Sequence, residues 1–342
     1  MMTNLHTFEY HIYVMRNGAE FGEALSIDDP QIEMVSDAEI KKSMSANLIL
    51  PDGTDILHDT LMPKIIVDRV ESVLGEYYVG TYTEQTNEYG QSYTEIEAYD
   101  GGYLPSRYRT ENIIHFSAGA NYVDTIQALL IEAGVEKIIA TANSATLTND
   151  REDWEIGTTY LAIINALLAE INYESLWFDN NGFARIAPKR VADPDTVHHK
   201  YTSGQYSILS VPRSRETDIF DKYNVFVAYV DSADYDELMI ATAVNDDPAS
   251  ILSVQNRGRI QAPPQRLDNI ASQEELQAYV DNWKNKSMSS TETLVISTGI
   301  DTAHEVRDTV QCEDNIYLEY SWSMNLGEDA TLTHTLQREV FI

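Results

Sequence analysis

Tyr77-Tyr78-Val79-Gly80-Thr81-Tyr82-Thr83-Glu84 is followed by the polar stretch Asn87-Glu88-Tyr89-Gly90, then by Tyr93-Thr94-Glu95-Ile96-Glu97-Ala98-Tyr99, which ends at Asp100-Gly101-Gly102. Both runs are rich in Tyr, Val, Thr and Ile, alternate apolar with polar positions, and are bounded by Asn, Asp and Gly. They read as two strands and their turns: aromatic and β-branched side chains fit a pleated surface, and Gly and Asn tolerate the dihedrals of a tight reversal. Outward from this pair the pattern repeats. Residues 11–15 precede Arg16-Asn17-Gly18, whose Asn-Gly pair is a strong hairpin signal; residues 41–50 end at Pro51-Asp52-Gly53; residues 64–73 end near Gly75. Short strands at this spacing predict one antiparallel β domain, a barrel or a sandwich, over residues 1–112.

The pattern changes after Asn112. Tyr122, Val123, Ile126, Leu129, Leu130 and Ala133 recur at helical spacing, and Gly134 follows as the expected stop. A second helix starts at Thr158 or Thr159 and places Leu161, Ile164, Leu167 and Leu168 on one face. Residues 173–178, the turn Asp179-Asn180-Asn181-Gly182 and residues 183–187 read as a hairpin closed by Pro188. These elements predict a small α/β unit over 113–200. Strand character returns at 207–211 and 223–230, and is interrupted by a less regular stretch, 231–290. That stretch holds one helix, opened by the capping box Ser272-Gln273-Glu274-Glu275, with Leu276, Tyr279, Val280 and Trp283 on its buried face. Strands resume at 294–297, 309–312, 317–324 and 332–342. The predicted division is a β domain (1–112), an α/β unit (113–200), a second β domain (201–235 and 291–342), and a helix-containing insertion (236–290).

Composition narrows the function. The 342 residues suffice for two or three compact units with real cores. Fifty-five acidic against 23 basic residues leave a net charge of −32, which argues against binding nucleic acid or anionic lipid over the whole surface. With 43% hydrophobic residues and 21 Tyr the acidity is that of a folded chain, since disorder couples high charge to few aromatics. The longest apolar runs fall short of the roughly 18–20 residues a membrane span needs, so no span is expected. Met1-Met2-Thr3-Asn4-Leu5-His6 has neither the basic nor the apolar region of a secretory signal, and folding in a cytoplasm is expected. The single cysteine, Cys312, cannot form an intrachain disulfide or a thiolate zinc site, so stability must come from packing and association.

The order of these units resembles the tail hub, or baseplate hub, proteins of tailed bacteriophages and related contractile particles. Ile66-Val67-Asp68 and Tyr77-Tyr78-Val79-Gly80-Thr81-Tyr82 are similar to a strand pair of that family, and Glu95-Ile96-Glu97-Ala98-Tyr99-Asp100 to the strand closing its first barrel. The helix from Tyr122 to Gly134, the start Gly157-Thr158-Thr159-Tyr160-Leu161, and Leu176-Trp177-Phe178-Asp179 with Gly182 resemble its middle unit. Tyr223-Asn224-Val225-Phe226-Val227 followed by Ala243-Val244-Asn245-Asp246-Asp247-Pro248-Ala249-Ser250 is the most distinctive fragment. The resemblance implies a mainly β chain with α+β insertions: two tail-tube-like antiparallel β-barrel domains, the α/β unit between them, and the insertion in the second barrel. It implies a homotrimer whose six similar barrels form a pseudo-sixfold ring between a hexameric tail tube or distal tail protein and a threefold central spike or tail tip. DNA and the tape-measure protein would pass through without being bound. Carboxylates lining such a ring would repel DNA phosphates, although solvated faces or a saline host account for most individual charges equally well. The expected location is the virion tail or baseplate, assembled in host cytoplasm. Since the sequence ends at Ile342 without the C-terminal extension common in long-tailed phages, any spike or lytic activity is expected on another polypeptide.

No cofactor and no catalytic residue is expected. Asp150, Glu152, Asp153 and Glu155 cluster beside Trp154, as a glycosidase with a stacking aromatic would require, but such clusters arise by chance among 55 acidic residues and also suit a helix N-terminus. A cell-wall or polysaccharide hydrolase with a carbohydrate-binding β domain is the rival reading. His198 and His199 are adjacent and point apart on a strand or helix, so no metal site is expected from the pair; they read as polar residues of a linker. Cys312 reads as a small packed side chain. The chain has no Gly-rich nucleotide loop and no Gly-x-Ser-x-Gly elbow, and Asp179-Asn180-Asn181-Gly182 lacks the alternating ligands of a calcium loop. Arg257, Arg259 and Arg266, around Gly258 and Pro263-Pro264, are the only basic concentration. They either dock on an acidic neighbouring subunit or tail component, or merely balance local charge.

Overall fold

The computed structural model describes residues 8–152, 154–203, 209, 213–217, 220, 222–230, 238–267, 272–327 and 330–341. Its contacts divide the chain into two compact units, Met1–Arg213 with Val295–Leu336, and Ser214–Leu294 with Gln337–Ile342. The chain is mainly β, with few helices.

The first unit opens with eight strands: β1 (Phe8–Arg16), β2 (Ala19–Ser26), β3 (Gln31–Val35), β4 (Lys42–Ile49), β5 (Thr60–Val67), β6 (Val70–Val73), β7 (Tyr77–Thr86) and β8 (Ser92–Tyr99). Six of these pair antiparallel in a circuit that returns to its start: β4 with β2, β2 with β1, β1 with β5, β5 with β7, β7 with β8, and β8 with β4. Alternation decides what they enclose. Along β4, Met44, Ala46 and Leu48 point inward between Ser43, Ser45 and Asn47, and they pack with Ile12, Val14, Ile65 and Ile96. Asn17 and Gly18 take the left-handed dihedrals that a two-residue hairpin needs, as expected.

The expected strand over 64–73 is instead two strands, β5 and β6, joined by Asp68 and Arg69, both at positive φ (51° and 72°). A side chain with a Cβ loses roughly 1–2 kcal/mol in this region, and arginine offers no local hydrogen bond in return, so no glycine marks the turn in the sequence. Arg69→Gly is expected to raise stability by a few tenths to about 1 kcal/mol, read as an upward shift of the urea midpoint with an unchanged slope.

The short helix α1 (Tyr103–Arg107) leads into the α/β segment, built from α2 (Tyr122–Glu132), β9 (Ile138–Ala140), α3 (Tyr160–Glu170), β10 (Trp177–Phe178) and β11 (Ala184–Ile186). The Asn121 side chain accepts from Val123 N and Asp124 N to cap α2; Thr159 Oγ1 accepts from Ala162 N to cap α3. Leu161, Ile164, Leu167 and Leu168 are fully buried, as their spacing predicts. Asp179 Oδ1 accepts from Asn181 N and Phe183 N, which makes 179–182 a hairpin turn. Gly101 is explained by close approach: a Cβ there would lie 2.3 Å from the Phe178 ring, so only glycine lets the end of β8 settle on this hairpin.

Just before Gly101, Asp100 is fully buried and accepts from Lys42 N and Gly102 N. Burial outweighs these bonds and the charge of Lys42, and its pKa is pushed up to about 6. The unfolded value is about 3.9, so this group favours the fold most below pH ~4, and that contribution of about 3 kcal/mol is lost as pH rises through 6. Between pH 4 and 6, the stability of Asp100→Asn is expected to fall less steeply than that of the unaltered chain in parallel denaturation series.

The first unit is completed by β12 (His199–Tyr201), which runs parallel to β18 (Thr309–Cys312), and by β19 (Asn315–Asn325), which pairs with β18 through its first half and with β3 through its second. The inward parity of β19 changes between these halves: Tyr317 and Glu319 are buried, then Trp322 and Met324. The expected strand at 207–211 lies outside the described residues apart from Leu209.

The second unit contains β13 (Ser214–Thr217), β14 (Val225–Val230), β15 (Met239–Val244), α4 (Val254–Arg257), β16 (Gln265–Arg266) and α5 (Gln273–Ser287). Two further strands, β17 (Ser289–Thr298) and β20 (Thr331–Phe341), run from one unit's residues into the other's. β15 pairs antiparallel and β16 parallel with β14, so this stretch is more regular than the sequence suggests. Ser272 Oγ accepts from Glu275 N, as the capping box predicts. Leu276 and Val280 are buried and Trp283 packs partly on Phe226, but Tyr279 is exposed and donates its hydroxyl to Gln265 Oε1 at 2.6 Å. Among the described residues no helix is long and apolar enough to cross a membrane.

Candidate functional site

The three arginines sit on one loop system of the second unit. Arg257 ends α4, Arg259 follows Gly258, and Arg266 lies in β16; Arg259 and Arg266 are exposed, while Arg257 is half-buried and donates to Lys222 O. Two buried asparagines hold this loop. Asn224 donates through Nδ2 to Leu252 O (2.9 Å) and Gly258 O (2.7 Å) and accepts from Ile260 N (2.7 Å). Asn245 donates to Ser250 Oγ at 2.8 Å, its backbone N–H donates to Asn224 O, and its carbonyl accepts from Val254 N. Residues 224 and 245, the two most distinctive sequence fragments, thus form one polar pin beneath the arginine loop. A buried polar side chain that satisfies several loop carbonyls fixes a conformation that water would otherwise compete for.

Beside Trp154, the Asp150 carboxylate accepts from Ala118 N and the Glu152 carboxylate pairs with His115, while the backbone carbonyl of Glu155 accepts from Thr110 and Thr158. The Trp154 ring meets Phe116 edge-on and lies beneath Arg151. Asp153 lies outside the described residues. Cys312 is buried in β18.

A denser cluster, absent from the sequence reading, lies within the first unit. Instead of belonging to a linker, His199 is in β12, with Nε2 3.0 Å from Asp308 Oδ2 and Nδ1 3.2 Å from Asp301 Oδ2. His198 Nδ1 accepts from Thr309 N and lies 3.8 Å from Asp308 Oδ1, so the two neighbours, expected to point apart, both approach the Asp308 carboxylate. The His199 ring stacks on His304 at 3.5 Å. His304 Nδ1 lies 2.6 Å from Glu319 Oε2, and His334 Nδ1 lies 2.9 Å from Glu319 Oε1. His304, Glu319 and His334 are each at most 1% exposed. Behind them, Tyr201 Oη is 2.6 Å from His304 Nε2, and Thr298 Oγ1 is 3.0 Å from His334 Nε2. Arg190 reaches Asp308 from the α/β side.

The cluster's electrostatics separate its histidines. Burial pulls the His199 ring down, but the bonds and charges of Asp301 and Asp308 outweigh it and push its pKa up to about 9. His334 is pushed down to about 3, chiefly by burial, and His304 is lowered for the same main reason; burial raises Glu319. One imidazolium held by two aspartates therefore lies against two neutral imidazoles that share one carboxylate. Two sets have donor atoms close enough to hold a cation: His199, His304 and Asp308; and His304, Glu319 and His334. The sequence does carry a signal for the second set: His334 lies between Leu332 and Leu336 on the inward parity of β20, a histidine on an apolar face.

In fold the chain is similar to solved tail proteins, so the fold likeness that the sequence suggested is borne out. Over 96% of the chain this structure is similar to a prophage MuSo2 43 kDa tail protein from Shewanella oneidensis (TM-score 0.60, 9% identity, 98% of that chain) and, again over 96%, to a tail protein from Neisseria meningitidis MC58 (TM-score 0.58, 12% identity, 96% of that chain). It is also similar to the prophage tail protein gp18 of Listeria monocytogenes EGD-e, with a TM-score of 0.50, 13% identity, and coverage of 96% of this chain and 94% of that one. No protein-family model and no curated protein matches the chain.

Proposed function

We propose that this chain is a structural virion protein, the hub of a phage tail or baseplate, with no catalytic function of its own. The observation that carries the reading is the near end-to-end likeness, on both sides of the comparison, to tail proteins of three bacterial prophages or genomes. In this reading the six-strand circuit is the first of two tail-tube-like barrels, and strands of residues 201–235 and 291–342 supply the second, with 236–290 inserted. Three chains with two similar barrels each present six lobes to a hexameric tube or distal tail protein above and threefold symmetry to a spike or tip below. DNA and the tape-measure protein pass through the ring, and a lumen of carboxylates would repel phosphate. The arginine loop, held rigid by Asn224 and Asn245, docks on an acidic neighbour, where planar guanidinium groups pair with carboxylates. The hydrolase reading gains no support: the Asp150 and Glu152 carboxylates serve a backbone N–H and His115.

Solution mass and electron-microscopy class averages test this reading. The expected result is a threefold ring with six lobes, near about 116 kDa for three chains of 38.6 kDa. Replacing Arg257, Arg259 and Arg266 together by alanine is expected to abolish ring formation or binding to the adjoining tail component, and normal assembly of that variant would remove the docking role. A monomer that turns over peptidoglycan or polysaccharide would overturn the hub.

A further inference from the structure

We propose that His304, His334 and Glu319 bind one divalent transition-metal ion of the zinc class per chain, as a closed structural site in the first unit. The argument begins with the proton of His334. Its Nε2 faces Thr298 Oγ1, and that hydroxyl already donates to Gly299 O at 2.8 Å, so the hydroxyl can only accept and Nε2 must carry the ring proton. The Nδ1 lone pair then faces a Glu319 oxygen at 2.9 Å in a site without water access, so what lies between them is either a proton or a metal cation.

The rest of the cluster has the composition of a metal site. His304, Glu319 and His334 each offer a donor atom within 4.8 Å of the others, and each Nδ1 faces a different Glu319 oxygen; in the proposal the second carboxylate oxygen completes an N2O2 set, the number of donors a closed zinc site uses. Imidazole with carboxylate suits a borderline divalent ion and is a poor match for calcium or magnesium, which favour all-oxygen sets. Each ring's far nitrogen is backed by an oxygen, Tyr201 Oη for His304 and Thr298 Oγ1 for His334, which is how ligating histidines are oriented. The competing occupant of the same space is a proton shared between Glu319 and His334.

Because the donors are buried, the ion enters as the chain folds. The full chain is unfolded with chelator and refolded in parallel with chelator, with zinc or with cobalt, alongside protein purified natively without chelator. The expected result is close to one metal per chain by plasma mass spectrometry, the visible d–d absorption of four-coordinate cobalt, and a higher Tm with metal than with chelator. Glu319→Gln and His334→Gln are expected to lose stoichiometric metal, and Thr298→Val to keep it with affinity lowered about 10-fold. Less than about a tenth of an equivalent in the unaltered chain, with the same Tm in metal and chelator, overturns the site and assigns the space to a proton. Stoichiometric metal retained in both ligand variants also overturns it. If those variants fail to fold, the unaltered chain's stoichiometry and Tm difference decide.

Discussion

Glu319→Ala is expected to lower the unfolding free energy by roughly 3–5 kcal/mol, enough to abolish most of the stability of an ordinary domain. Glu319 has no exposed side-chain surface, and each carboxylate oxygen faces an imidazole nitrogen at most 1% exposed. Truncation leaves two buried nitrogens without their partner and opens a cavity at the centre of β19, where no solvent can enter to compensate. In metal-free protein, Glu319→Gln keeps the volume and one acceptor, and is expected to cost about 1–2 kcal/mol, the range for one mismatched buried hydrogen bond. Denaturant unfolding of both variants, followed by Trp fluorescence, checks the order. Trp322, three residues along the same strand but on its other face, is buried in the first unit and reports on that unit's unfolding. Equal, small losses for both would mean that the cluster contributes nothing to the fold.

Asn224→Ala in the second unit is expected to cost about 3 kcal/mol. Its side chain satisfies two carbonyls and one backbone N–H of residues 252–260, and each bond has a net worth of about 1 kcal/mol, more if the freed group stays buried. Amide exchange of residues 250–262 is expected to accelerate strongly, whereas amides of β1, β4 and β5 should keep their protection. If loop release weakens assembly as much as removing the three arginines, rigid presentation of the arginines is what matters. If assembly is untouched while the loop exchanges freely, the arginines bind without preorganisation.

The two substitutions also mark where sequence reading succeeds and where it stops. The helices were legible because their signals are local: Asn121, Thr159 and Ser272 cap their own helices, and the apolar residues of α3 recur with the helical period. Most strands were legible from period-two alternation. The turn at Asp68-Arg69 was not, because Arg69 occupies a left-handed position with no Gly or Asn to mark it. Tyr279 was assigned to the buried face by spacing alone, yet a helix face is wide enough for its rim to remain in water.

The sequence by itself determined the element types, the change from β to α/β near residue 112, the acidic balance and the likeness to tail hubs. Only the tertiary structure decided that the six strands pair in a circuit, that Asn224 and Asn245 pin one loop, and that His199, His304, Glu319 and His334 meet. The physical reason is that period-two alternation gives each strand two faces but names no partner, and register between strands far apart in sequence is set by the collective burial of both. His199 joins His304 across a sequence separation of 105 residues only because β12 lies parallel to β18, and Glu319 and Trp322 face opposite ways because β19 pairs with β18 over one half and β3 over the other.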